Sequence, residues 1–195
     1  MIALTDIQKS LSIIEDLASN FDFDLARASR DHSWIKLVPH RPFLVIAGES
    51  TGGVFLAYDG GEAEPWPILY ATSEGQAGCI AANLTEMVAM MMAAPYWRDL
   101  LKFSDAGNLT EMRKSAWLLE QDYLEEDAAI SDARRRIMDG LPIPVITDPV
   151  KLLHDRVGTT DCTLIADDGW QYESLFNKFK SSDNPFWRQI PVQDV

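Results

Sequence analysis

At 195 residues, 47% hydrophobic and 24% charged, the chain has the composition of one soluble globular domain. A chain of this length buries roughly 70% of its unfolded surface and needs no metal or disulfide staple. The formal net charge of −13 argues against nucleic acid and anionic membranes, which need clustered Lys and Arg, and favours a basic partner or plain solubility.

The N-terminal Met1-Ile2-Ala3-Leu4 lacks the basic flank and apolar core of a signal peptide. No run approaches the ~18 apolar residues of a membrane span. Cys79 and Cys162 lie far apart in sequence and suit two buried thiols in a reducing, cytoplasmic setting.

From Thr5 to Asn20, Ile7, Leu11, Ile14 and Leu17 recur at helical spacing, with Thr5 or Asp6 as the cap. Phe21, Phe23 and Leu25 alternate with Asp22 and Asp24, the pattern of an edge strand. His32 and His40 follow, near Asp31 and between Arg30 and Arg41. They lack the close ligand pairs of a metal site and read as loop or surface histidines.

The segment Phe43 to Met92 reads as four strands and a helix. Phe43–Ala47 and Val54–Tyr58 flank Gly48-Glu49-Ser50-Thr51-Gly52-Gly53, where both closing glycines suit a tight turn. Pro67–Ala71 and Ala77–Ala81 flank Ser73-Glu74-Gly75-Gln76, and Pro65 and Pro67 around Trp66 place the start of that strand at an edge. Asn83 with Glu86 signals a helix start, and Leu84, Val88 and Met91 form its stripe. The crowded methionines Met87, Met90, Met91 and Met92 suit either core packing or an adaptable surface. Pro95 ends that helix, and Tyr96 to Phe103 forms a short second one. From Pro42 to Trp97 there is no Lys, Arg or His, yet Glu49, Asp59, Glu62, Glu64, Glu74 and Glu86 are present.

Leu109 to Asp139 reads as one long helix, with Met112, Leu119, Glu126 and Ala133, and Ala116, Tyr123, Ile130 and Ile137, forming a seam. Between Ser115 and Ala133 it carries six acids and no base, a solvated face or a second acidic contact surface. Asp148 and Pro149 open another helix, Asp161 to Ala166 is a strand, and Asp167-Asp168-Gly169 a turn. Strand or helix stays open after Trp170, and Phe186 and Trp187 are expected to tuck onto the body.

Gly48-Glu49-Ser50-Thr51-Gly52 matches the nucleophile elbow G-x-S-x-G, in which Ser50 would recruit His154 with Asp139 or Asp148. The strand-forming Val54–Tyr58 that follows argues against it, because the elbow requires a helix there. A serine hydrolase therefore stands as the alternative function, beside a regulatory scaffold.

Pro67-Ile68-Leu69-Tyr70, Ser73-Glu74-Gly75, Ile80-Ala81 and Leu84 to Val88, with Gly52-Gly53 and Val54–Tyr58 before them, resemble the SUKH superfamily over about 43–103. The resemblance implies an α+β fold, a mostly antiparallel sheet flanked by helices, with residues 107–195 an elaboration of the same single domain. It also implies a bacterial immunity protein that neutralises a toxin by direct binding, without catalysis, cofactor or metal. A basic, nuclease-type toxin domain would complement the acidic chain. Asp59, Glu62, Glu64 and Glu74 are the candidate contact acids, with Trp66 and Tyr70 as candidate aromatic anchors or half-buried strand residues.

Overall fold

A computed structural model of the chain describes residues 1–59, 66–126 and 128–189. The fold is α+β. Two short helices, α1 (Leu4–Gln8) and α2 (Leu11–Phe21), open it, where the sequence pattern predicts one. The cap of α1 is Ala3, whose N–H donates to Asp6. Ile7, Ile13, Leu17 and Phe21 are buried, whereas Leu11, the second residue of the expected stripe, is 70% exposed, because the break at Ser10 resets the helical phase. The expected strand over 21–25 is absent. Phe21 closes α2, Asp22 turns left-handed (φ 52°), and Leu25–Ser29 forms a 3-10 turn capped by Asp24. Alternation here reports a chain reversal around the buried Phe23, and only Asp24 bridges to a strand, at Gly48.

Among the described residues there are six strands: β1 (Lys36–Val38), β2 (Phe43–Gly48), β3 (Val54–Tyr58), β4 (Ile68–Ala71), β5 (Ala77–Ala81) and β6 (Thr163–Ile165). Of these, β2 to β5 follow the expected hairpins, β6 lies within the strand expected over Asp161 to Ala166, and β1 is not among the strands that the sequence pattern predicts. The strands from β2 to β5 form an antiparallel meander in sequence order, and β1 pairs antiparallel with β6 in a separate ribbon. β4 lies inside the sheet, not at an edge. Because it starts at Ile68, neither Pro65 nor Pro67 falls within its ladder.

Every residue of β3 and β4 is buried, so their unbroken apolar runs mark a sheet covered on both faces. Successive side chains alternate between the faces. Phe55, Ala57, Ile68 and Tyr70 join the main helical core, and Val54, Leu56, Tyr58 and Leu69 pack with Leu37 and Leu164 of the ribbon.

On the helical face lie α3 (Leu84–Ala93), α4 (Trp97–Lys102), α5 (Leu109–Glu126), α6 (Ala128–Gly140) and α7 (Pro149–Gly158). Met87 and Met90 to Met92 are all buried, which fixes the methionine run as core. The expected single helix over 109–139 is described as α5 and α6, on either side of residue 127, which lies outside the described residues. Met112, Ala116, Leu119, Ala133 and Ile137 of the seam are buried. Its acid face is partly used internally: Asp122 accepts from the Trp187 indole at 2.8 Å. Trp187 is buried against Phe103, but Phe186 points out at 84% exposure, correcting the expectation that both tuck in. From Trp170 to Lys180 the chain is neither strand nor helix, and two 3-10 turns follow, Ser181–Asp183 and Trp187–Gln189. The stretch before these turns makes single bridges, Gln171 to Ile165 and Glu173 to Gln76, and so covers the β5 edge.

Candidate functional site

The turns β2–β3 and β4–β5 emerge at the same end of the meander, and α4 packs beside them. At this junction sits Glu49, 4% exposed. Its Oε1 accepts from the Thr51 hydroxyl and from the Gly53 N–H (3.2 Å). Its Oε2 accepts from the Tyr70 hydroxyl at 2.7 Å and lies 3.3 Å from Nε of Arg98, an ion pair without hydrogen-bond alignment. A buried carboxylate needs this many partners because desolvation otherwise outweighs the attraction.

Arg98, near the start of α4, donates to the carbonyls of Phe21 (3.3 Å) and Asp22 (3.1 Å), closing the C-terminus of α2. Its guanidinium lies over Trp97 (4.6 Å), Tyr70 (5.5 Å) and Phe55 (5.7 Å). Burial pushes the Tyr70 phenol above its usual range, with Arg98 opposing and Glu49 adding, so it remains a donor. Only Gly52 of the two turn glycines needs positive φ (105°). Gly53 is required by space, since a Cβ there would fall 2.5 Å from Glu49 Oε1 and 2.8 Å from the Ala71 carbonyl.

Ser50 is held by Asp22, whose carboxylate accepts the Ser50 N–H (2.8 Å) and hydroxyl (3.0 Å). The chain continues into β3, so the motif is a hairpin turn. His154 does not meet Ser50: its ring nitrogens face the Gly107 carbonyl (3.0 Å) and Asp155 (3.3 Å). Asp148 caps α7 and pairs with Arg113. No Ser-His-Asp relay is assembled from these residues.

In front of Glu49 opens a cleft of about 570 Å³, walled by Asp22, Tyr70, Thr72, Glu74, Arg98, Asp99, Lys102 and Phe179, among others. Glu74 is exposed in the turn β4–β5, whose Thr72 hydroxyl accepts from the Glu74 and Gln76 N–H groups. Asp99 is exposed as a residue, yet desolvation at the cleft wall pushes its carboxyl up, with Lys102 and Arg98 opposing.

Of the expected contact residues, only Tyr70 and Glu74 are brought to the same cleft. Glu74 lies at the turn end, while Asp59 and Trp66 belong to the loop at the opposite end of the sheet. Asp59 is exposed and pairs with Arg41 at 3.3 Å. Trp66 is half-buried, with its indole nitrogen enclosed and unpartnered among the described residues. Glu62 and Glu64 lie outside the described residues. Tyr70, at 3% exposure, is a core residue and not a surface anchor, because its ring packs 4.9 Å from Phe55 and 5.0 Å from Trp97.

Cys79 is buried, but Cys162 is only half-buried. Burial pushes the Cys162 thiol up to about 11 and the Cys79 thiol in the same direction. Sequence reasoning did not single out Glu49, Arg98, Asp22 or Asp99 for this site. A signal existed: Arg98 is the first base after the acid-only stretch, beside Trp97.

Among the described residues, no group of His, Cys, Asp and Glu is arranged to hold a metal, and no helix is long and apolar enough to cross a membrane. Compared with known proteins, the chain matches no family model, no curated protein and no solved structure.

Proposed function

We propose that the chain is a non-enzymatic binding protein that captures a basic protein partner, acting in the bacterial cytoplasm as an immunity protein of SUKH type against a nuclease-type toxin. The observation that carries this reading is the cleft at the turn end. Its hydrogen-bonded charges, Glu49, Arg98 and Asp22, are committed to the fold, and its remaining carboxylates, Glu74 and Asp99, make no ion pair among the described residues, with Lys102 and Arg98 as the cations in the same wall. A basic side chain entering the cleft meets acid without displacing a structural partner. The net charge of −13 supplies long-range steering toward a basic surface, a contribution that salt weakens.

The test is capture from a lysate of the source organism at low and moderate salt, with mass-spectrometric identification. Each captured nuclease is then assayed with and without added protein. A basic nuclease-type chain is expected, inhibited on binding, with affinity falling about tenfold for Glu74→Lys with Asp99→Lys at low salt. Asp59→Lys should matter less, because that charge is already paired with Arg41. Failure to retain or inhibit any basic nuclease, or indifference to the double variant, would refute the reading.

A further inference from the structure

Beside the turn β2–β3 lies a second cavity, of about 190 Å³, with Glu49 in the wall of both it and the cleft. Arg27, Arg30, Asp31, His32, Trp34 and Glu49 line it, together with the turn glycines. We propose that this cavity binds a small oxyanion of phosphate type.

His32 carries the argument. Both ring nitrogens, Nδ1 and Nε2, are closed off from solvent and have no partner among the described residues. Enclosed polar atoms are almost always satisfied, so an imidazole left open on both sides is unusual unless something else engages it. The other two histidines contrast with it: His154 uses both nitrogens and His40 is exposed.

The neighbours decide the sign of the ligand. The acids at the cavity are partly engaged: Asp31, exposed, accepts the Ser33 N–H at 2.9 Å with one carboxylate oxygen, and both Glu49 oxygens are held in the turn. Most of the donors are unengaged. Arg27 gives only Nε to Asp24 (3.0 Å), and the Arg30 guanidinium makes no hydrogen bond among the described residues. Two guanidinium groups and an imidazole with uncommitted donors, around a cavity of this size, suit an anion that accepts several hydrogen bonds at once.

Local structure places these groups deliberately close. The bridge between Asp24 and Gly48 draws the 3-10 turn Leu25–Ser29 onto β2, and a Cβ on Gly48 would sit 2.9 Å from Cβ of Arg27. Trp34, stacked at 6.2 Å on Tyr172, provides a flat wall that an ester substituent could cover. The ligand is therefore either free phosphate or the phosphate group of an ester, and the experiment separates the two.

The test is nitrogen-15 NMR of the full chain, following the His32 ring and Trp34 indole signals during titration with inorganic phosphate and then phenyl phosphate at constant ionic strength. Saturable shifts at His32, absent at His40 and His154, are expected. Tighter phenyl phosphate binding with Trp34 shifts identifies an ester as the ligand class; equal or tighter inorganic phosphate binding identifies the free ion. Arg30→Gln, a change at an exposed and unpaired side chain, should weaken binding about tenfold, and His32→Gln should do likewise. Linear shifts that chloride reproduces, or binding unchanged in both variants, would overturn the proposal.

Discussion

Glu49 illustrates how one side chain can organise a junction. It is an ordinary acid in a glycine-rich turn by sequence, yet its oxygens join Thr51, Gly53, Tyr70 and Arg98, and through them β3, β4, α4 and the end of α2. Tyr70→Phe removes the hydroxyl donor and leaves the carboxylate buried, so it should cost about 1.5–3 kcal/mol of unfolding free energy in urea. Glu49→Ala leaves Arg98 without its counter-charge and should cost about 3–5 kcal/mol, the penalty of breaking a buried pair. A loss below about 0.5 kcal/mol for Tyr70→Phe would mean that water satisfies this site. The Gly-Glu-Ser-Thr-Gly-Gly turn was legible from sequence as a turn. Its role as the hub was not, because the partners come from positions as far away as Arg98, and local patterning carries no information on such pairs.

At the scale of elements, end signals were the most readable. Asn83 caps α3 as the sequence pattern predicts, its Oδ1 accepting the Glu86 N–H at 2.9 Å, and Asp148 caps α7 with Pro149 in the first turn. Glu86 departs from a simple capping box: it accepts the Ala82 N–H (2.8 Å) and a two-pronged pair from Arg156 of α7 (2.7 and 2.8 Å). Asn83→Ala should cost about 1 kcal/mol, measured by chemical unfolding. A neutral result would show that the Arg156 pair alone fixes the start of α3. Misreadings arose where two periodicities were spliced. The helix expected over Thr5–Asn20 is interrupted at Ser10, and the alternation of 21–25 covers a helix end, a left-handed residue and a 3-10 turn. Short patterns are ambiguous when several brief elements each supply one or two apolar residues.

At the scale of the molecule, distant segments are tied by charge as well as by apolar burial. Asp16 of α2, buried, accepts from Arg136 of α6 at 2.6 and 2.8 Å. That hydrogen bond holds the Asp16 carboxyl below its ordinary value of 3.8, against the opposing effect of burial. A depressed folded value contributes stability that is present above the unfolded value and is lost as pH falls through the folded one. The urea midpoint should therefore drop on acidification from about pH 5 to about pH 3, and Arg136→Gln should flatten that drop. Identical pH profiles for the two proteins would remove this pair from the account.

The sequence by itself determined the α+β class, the antiparallel meander and the two capped helices. Each depends on interactions within a few residues or on the alternation of neighbouring side chains. Only the tertiary structure decided that the sheet is covered on both faces, that Asp59 and Glu74 stand at opposite ends of it, and that Tyr70 is core. It also decided that Glu49 meets Arg98 and that His32 faces a cavity beside two arginines. Those arrangements come from packing one layer on another and from closing long loops, where burial free energy selects among many pairings that the local sequence permits equally.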